Sequence, residues 1–243
     1  MATPQYRLNP ALDLERLAHA FRARARLHIP DFLVREDAEQ LLAALEASEA
    51  WKLIRNDGER VIEIDRRAQA TLAPEQRARI ATAVFEGARR GFQYWYETIK
   101  APHADADRAA DPTRLNAFAR FLSSEAVLAF LRGVTGDAEI SFADAQATAY
   151  GPRHFLTAHD DLAPKQMRRV AYVFGLTKQW PVEWGGLLTF HDDSSPLVEA
   201  MVPAFNALNL FTVPQLHSVS FVTPFAARRR YSVTGWLRAG TPP

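Results

Sequence analysis

His159 and Asp161 stand two positions apart in the segment His154-Phe-Leu-Thr-Ala-His159-Asp160-Asp161. In an extended backbone, residues i and i+2 project to the same side, so an imidazole and a carboxylate are presented together. A second histidine, His217, comes later in the chain, and Arg230 follows it just ahead of Tyr231-Ser-Val-Thr-Gly-Trp236. Two imidazoles and one carboxylate are the ligand set of the facial triad that holds ferrous iron while leaving coordination positions open. An arginine on a strand soon after the second histidine can clamp a carboxylate, because its planar fork of donors stays charged when buried.

The chain contains a second His-Asp-Asp triplet, His191-Asp192-Asp193, running into Ser194-Ser-Pro196. Only one triplet can supply the two-ligand element. The second one sits after Gly185-Gly-Leu-Leu-Thr-Phe190 and reads as a polar turn.

The order His-x-Asp, then His, then Arg resembles the iron(II)- and 2-oxoglutarate-dependent oxygenases, and most of all their prolyl 4-hydroxylase-like branch. In that family a Gly-Gly-x-Leu strand lies between the His-x-Asp pair and the distal histidine. The resemblance therefore places the metal ligands at His159, Asp161 and His217. It implies Fe(II), 2-oxoglutarate and O2 as cofactor and cosubstrates, with ascorbate as a further small molecule. It implies oxidative decarboxylation of the 2-oxo acid coupled to hydroxylation of an aliphatic C–H, and a prolyl residue of a protein or peptide is the first expectation for that group. A small-molecule hydroxylase of the same mechanism is the alternative. From other classes, the residues also admit a cupin-like metal- or ligand-binding protein without turnover, and a zinc hydrolase. The last would need a nearby general base, which no His-Glu-x-x-His motif supplies.

The match to Arg-Tyr-x-x-x-x-Trp in the family selects Arg230 for the distal carboxylate of 2-oxoglutarate. Strand alternation would put Arg228 on the same face and Arg229 on the outer one. Ser232 shares the Arg230 face. Tyr150, on the strand before the metal loop, matches a family tyrosine and is a further cosubstrate contact. Two departures stand out. Many relatives carry a tyrosine where Arg169-Val-Ala-Tyr-Val-Phe-Gly175 puts Gly175, with Tyr172 turned to the other face, and the stretch from His217 to Arg230 is longer than is usual there. Arg153 and His154 read as exposed loop polarity, Trp180 and Trp184 as a loop closing over apolar surface, and Phe205-Asn206 as fixing a strand.

These side chains need a rigid frame. The 243 residues, 48% of them hydrophobic, suffice for one sizeable core. The absence of cysteine excludes disulfides, thiolate metal sites and a cysteine nucleophile. A net charge of +1 gives no reason to expect nucleic acid or an anionic membrane as partner. Without a basic-then-apolar N-terminus, a cytoplasmic protein is expected.

Helical spacing of apolar residues covers Leu12–Arg26, Arg35–Ser48, a long helix from Pro74 to about Lys100, and two helices between Thr113 and Gly136. Asn56-Asp57-Gly58 between two short apolar runs signals a hairpin. Ala101–Pro112 reads as a surface loop. From Asp137 onward, short apolar runs are separated by Gly, Pro and Asp. The predicted fold is α+β with a mainly β core: a double-stranded β-helix, or jelly roll, over 137–243, supported by a mainly helical region over 1–136.

Overall fold

The computed structural model describes residues 5–192 and 194–241. Met1–Pro4, part of the expected leaderless N-terminus, and Asp193 of the second His-Asp-Asp triplet lie outside the described residues.

The chain opens with α1 (Leu14–Arg24), whose N-cap Asp13 accepts a hydrogen bond from the Arg16 N–H. Then come β1 (Arg26–Ile29), α2 (Arg35–Ala47), and the hairpin β2 (Lys52–Asp57) and β3 (Arg60–Asp65), turning at Gly58 with φ of 60°. α3 (Arg66–Thr71) leads to α4 (Pro74–Arg90), which has Pro74 in its first turn. β4 (Tyr94–Lys100), α5 (Asp105–Ala110), α6 (Arg114–Leu122) and α7 (Glu125–Thr135) complete the first part. α7 stops at Gly136, which takes the left-handed conformation (φ 73°) that a side chain would oppose. The remainder is β5 (Ile140–Ala143), β6 (Gln146–Tyr150), β7 (Phe155–His159), β8 (Arg168–Leu176), β9 (Leu188–Phe190), β10 (Glu199–Met201), β11 (Phe205–Thr212), β12 (His217–Val219) and β13 (Arg230–Ala239).

The strands pair antiparallel in the order β1-β11-β8-β13-β6-β4-β7-β12-β9-β10, with β2–β3 hung on β4 and β5 on β13. The sheet curls on itself until β9 and β12 face β8 and β11. Phe190 then meets Phe211 at 5.2 Å, and Phe211 meets His217 at 4.6 Å. This is the expected jelly roll, a nearly closed antiparallel barrel.

Alternation divides the side chains between two environments. On β8, Tyr172, Phe174 and Leu176 join the large core beneath α1, α2, α6 and α7, while Ala171 and Val173 face the barrel interior. From α7 that core takes Val127, Leu128, Leu131 and Val134, the stripe visible in the sequence. Each such burial contributes about 1.5–3 kcal/mol. A separate cluster seats α4 through Val84 and Phe85 on Trp95 and Phe155.

Three expectations need correction. The long helix ends at Arg90, not near Lys100, because Tyr94-Trp-Tyr-Glu-Thr-Ile-Lys100 is a strand. Its aromatic and β-branched side chains suit a pleated surface. β4 lies inside the sheet, between β6 and β7. Together with β1–β3 it carries the sheet across the expected boundary at Gly136. The supposed loop 101–112 contains α5, tied down by buried Arg108, which donates to the Pro102 and Ala143 carbonyls.

Candidate metal and cosubstrate site

His159 ends β7 and His217 begins β12, and the two are register partners across an antiparallel pair. Their ring centroids are 4.1 Å apart. Each ring points Nδ1 at the main-chain carbonyl two residues back, Thr157 O at 3.0 Å and Gln215 O at 2.7 Å. A proton on each Nδ1 satisfies those carbonyls and leaves both Nε2 lone pairs free for a metal. Burial and the neighbouring His159 push the His217 pKa down to about 4, which favours the neutral, metal-binding form. Asp161 completes the set: Oδ1 is 3.5 Å from His159 Nε2 and Oδ2 is 3.5 Å from His217 Nε2. One ligand atom from each residue lies within 4.8 Å of the others. Two neutral imidazoles and a carboxylate on one face fit ferrous iron.

His191 is elsewhere. Its Nε2 lies 2.8 Å from Ser218 Oγ and 3.1 Å from Thr189 Oγ1, outside the triad.

The triad opens into a cavity of about 760 Å³, lined also by Arg230, Tyr150 and Thr148. Arg230, the first residue of β13, pairs in register with Tyr150 on β6. It is 4% exposed, and its Nη1 has no hydrogen-bond partner among the described residues. A buried cationic donor without a partner carries a large desolvation cost, and an incoming carboxylate would remove it. Tyr150 stacks on Tyr96 at 4.8 Å and lies under the guanidinium, at 5.1 Å. Burial raises the Tyr150 pKa, so its hydroxyl stays protonated and can donate. Ser232 is buried, but its Oγ already bonds Thr148 Oγ1 at 2.8 Å.

The Arg230 end of the barrel is sealed. Gly185 and Gly186 both have positive φ, 68° and 64°. A β-carbon at Gly185 would fall 2.0 Å from the Phe221 carbonyl oxygen, and one at Gly186 would crowd Val222 Cγ2 at 3.1 Å, beside Arg230. The extra residues between His217 and Arg230 have a role here. Val222 exchanges main-chain hydrogen bonds with Arg153 and His154, and Thr223 N–H donates to Trp184 O. Trp180 donates to Gly185 O and packs against Trp184, closing this floor as expected. At Gly175, the position where the resemblance led to the expectation of a tyrosine, a β-carbon would meet the Ala204 carbonyl oxygen at 2.4 Å. The chain leading into β11 fills that space. Tyr172 points away and donates to Asp144 O. Asn206 clamps Leu33 through both side-chain atoms, bearing out its strand-fixing role.

Arg228 and Arg229 differ from expectation. The strand begins only at Arg230, so alternation does not reach Arg228, which is exposed and donates to Gln179. Arg229 is not idle on an outer face: it ion-pairs with Glu97, a carboxylate buried in β4. His154 is not loop polarity either. Its ring packs against Trp95, its Nδ1 accepts from Gly151 N–H, and burial lowers its pKa to about 4. Exposed Arg153 keeps its reading.

Residue patterns missed one wall. Phe92, Tyr94 and Tyr96 run from the surface to Tyr150 in ring contacts of 5.8, 5.9 and 4.8 Å, and Phe92 stands 5.5 Å from the His159 ring. The i, i+2, i+4 spacing of these aromatics after Gly91 was the available signal.

Residues 145–238 match the family described as the 2OG-Fe(II) oxygenase superfamily. No curated protein matches the chain. Among solved structures, a prolyl-4-hydroxylase from Pseudomonas putida is 16% identical, with a TM-score of 0.60, covering 94% of this chain and 100% of its own. An oxidoreductase of the 2OG-Fe(II) oxygenase family from Burkholderia pseudomallei is 15% identical, with a TM-score of 0.61, covering 100% and 98%. A prolyl hydroxylase from Trichoplax adhaerens, in complex with a hypoxia inducible factor oxygen degradation domain peptide fragment, is 16% identical, with a TM-score of 0.62, covering 93% and 89%. Residues 145–238, which hold the His159–Asp161–His217 set and Arg230, carry the match to the 2OG-Fe(II) oxygenase superfamily, and the chain has the fold of the prolyl 4-hydroxylases. Fe(II) and 2-oxoglutarate are the cofactor and cosubstrate that this match and the His159–Asp161–His217 set imply.

Proposed function

We propose that this enzyme hydroxylates an aliphatic C–H of a prolyl residue presented in a peptide or protein. The observation that carries the reading is the aromatic wall of Phe92, Tyr94 and Tyr96, which leads from an exposed mouth to the triad. Phe92 is 50% exposed, and Val61 and Leu162, at 54% and 59%, line the same cavity. A flat, apolar entrance of this kind suits a pyrrolidine ring carried on an extended chain. The prolyl hydroxylase neighbours share the fold and support the assignment.

Each residue has a defined task. His159, Asp161 and His217 would hold the metal on one face, the two Nδ1–carbonyl bonds fixing both imidazoles. Arg230 would take the distal carboxylate of 2-oxoglutarate through its unpartnered Nη1, with the Tyr150 hydroxyl as a second donor. Ser232 supports that wall through Thr148. The Gly185–Gly186 turn, Trp180 and Val222 keep water away from the Arg230 end. When bound, iron and 2-oxoglutarate supply the oxidising power, with decarboxylation to succinate coupled to oxygen insertion.

Mass spectrometry of proline-containing peptides after incubation with enzyme, Fe(II) and 2-oxoglutarate tests this reading. A gain of one oxygen confined to a prolyl residue is expected. Oxygen gain in free amino acids or other small metabolites, with every peptide unchanged, would transfer the assignment to a small-molecule hydroxylase.

A further inference from the structure

Asp161 is held in an unusual way. Its φ is 62°, a left-handed conformation that costs a non-glycine residue free energy and persists only where the surroundings enforce it. One side chain reaches both its backbone and its carboxylate. Arg168 Nη1 donates to the Asp161 carbonyl oxygen at 3.0 Å and lies 3.7 Å from the carboxylate Oδ1. The same guanidinium lies on the Trp236 indole, its central carbon 3.4 Å from the ring centroid. The Trp236 backbone is fixed in turn, since its main-chain N–H donates to Asp144 Oδ1 at 2.7 Å. Two further bonds pin the intervening loop to the same strand: Arg238 Nε donates to Gln166 O at 2.6 Å, and Ala239 N–H to Met167 O at 3.0 Å.

We propose that Arg168, seated on Trp236, is the positioning residue for the metal ligand Asp161. It holds the ligand's backbone in the left-handed conformation and its carboxylate toward the two Nε2 atoms. This rests on the assignment of His159, Asp161 and His217 as the metal ligands. The guanidinium suits the task because it is flat enough to stack on indole while its edge donates hydrogen bonds. Lysine can reach the Asp161 carbonyl but can neither stack nor fork. The latch also ties the metal loop to β13, the strand that begins with Arg230, so ligand and carboxylate clamp share one support.

The test measures binding of Co(II) alone, as a stand-in for the physiological ion, by calorimetry and by its visible d–d absorption. The proteins are wild type, Arg168→Ala, Arg168→Met, Arg168→Lys and His159→Ala. Arg168→Met keeps an unbranched stem against Trp236, so it remains informative if the alanine variant folds poorly. Partners of metal ligands typically contribute about 10–100-fold to affinity. Arg168→Ala and Arg168→Met are expected to lose that much and to show an altered band, with Arg168→Lys in between. His159→Ala should lose binding. If Arg168→Ala and Arg168→Met bind Co(II) as wild type does, with the same band, while His159→Ala does not, Arg168 only supports the fold and the proposal fails. If His159→Ala also binds normally, the ligand assignment itself is at fault.

Discussion

Arg230 lies directly across from Tyr150 on the neighbouring strand, its guanidinium carbon 5.1 Å from the centre of the phenol ring. Buried, and without a partner at Nη1 among the described residues, it makes sense as half of an ion pair whose other half arrives from solution. Truncating one partner of a desolvated charge pair costs on the order of 2–5 kcal/mol. Arg230→Ala should therefore raise the Michaelis constant for 2-oxoglutarate roughly tenfold or much more, since each ~1.4 kcal/mol is a factor of ten. Metal affinity should be nearly unchanged. Steady-state kinetics over a range of 2-oxoglutarate, with metal binding measured separately, checks both halves.

The adjacent arginines should behave differently. Arg229→Ala strands the buried Glu97 carboxylate, leaving the more distant Arg66, at 3.7 Å, as its remaining ion-pair partner. It should lower the urea midpoint, because the buried Glu97 carboxylate loses a counter-charge, although half-exposed Arg229 itself is partly screened by solvent. Exposed Arg228→Ala should change neither stability nor kinetics. An unchanged midpoint for Arg229→Ala would contradict the role given to the Glu97 pair.

The glycine pair predicts a steric outcome. Gly185→Ala places a β-carbon on the Phe221 carbonyl at a backbone angle that disfavours side chains. Overpacking of this kind typically costs about 1–3 kcal/mol. Chemical denaturation should show at least that loss, accompanied by weaker 2-oxoglutarate binding because the floor beneath Arg230 is displaced. Wild-type stability in this variant would mean that the turn is built differently.

Protonation should affect folding on the acid side. His154 and His217 both have folded pKa values lowered from 6.5 to about 4 by burial. Between those values the unfolded chain takes up protons that the folded chain does not. Their contribution therefore favours the fold above about pH 6.5 and is lost as pH falls toward 4. Urea midpoints of the metal-free protein should fall over this window, and His154→Asn should make the fall shallower. A His154→Asn profile as steep as wild type would remove His154 from this account.

Much of the site was readable because its ligands follow local rules. The His-x-Asp spacing marked the ligand pair, although Asp161 lies beyond the end of β7 and meets His159 through a left-handed turn rather than by alternation. Gly185 and Gly186, read as the start of a strand, instead form a positive-φ turn ahead of β9. Other features depended on partners distant in sequence. β4 was hidden because the stop at Gly91, the residue that ends α4, was read as part of a longer helix. Only pairing with β6 and β7 makes a strand of Tyr94–Lys100. Arg168 drew no expectation beyond starting a strand, since neither the left-handed Asp161 nor the Trp236 face beneath it can be read from spacing. Arg229 was misjudged because alternation fixes the face a residue points to but not what waits there, in this case Glu97.

Succinate formation from 2-oxoglutarate under air, by purified protein reconstituted with Fe(II), tests the central claim most directly, with His159→Ala as the control for free iron. The structure predicts oxygen-dependent succinate release by the wild-type protein, abolished in His159→Ala and retained in His191→Ala, whose imidazole is turned to Ser218 and Thr189. Equal release by wild type and His159→Ala, or loss in His191→Ala alone, would contradict the triad and the function built on it.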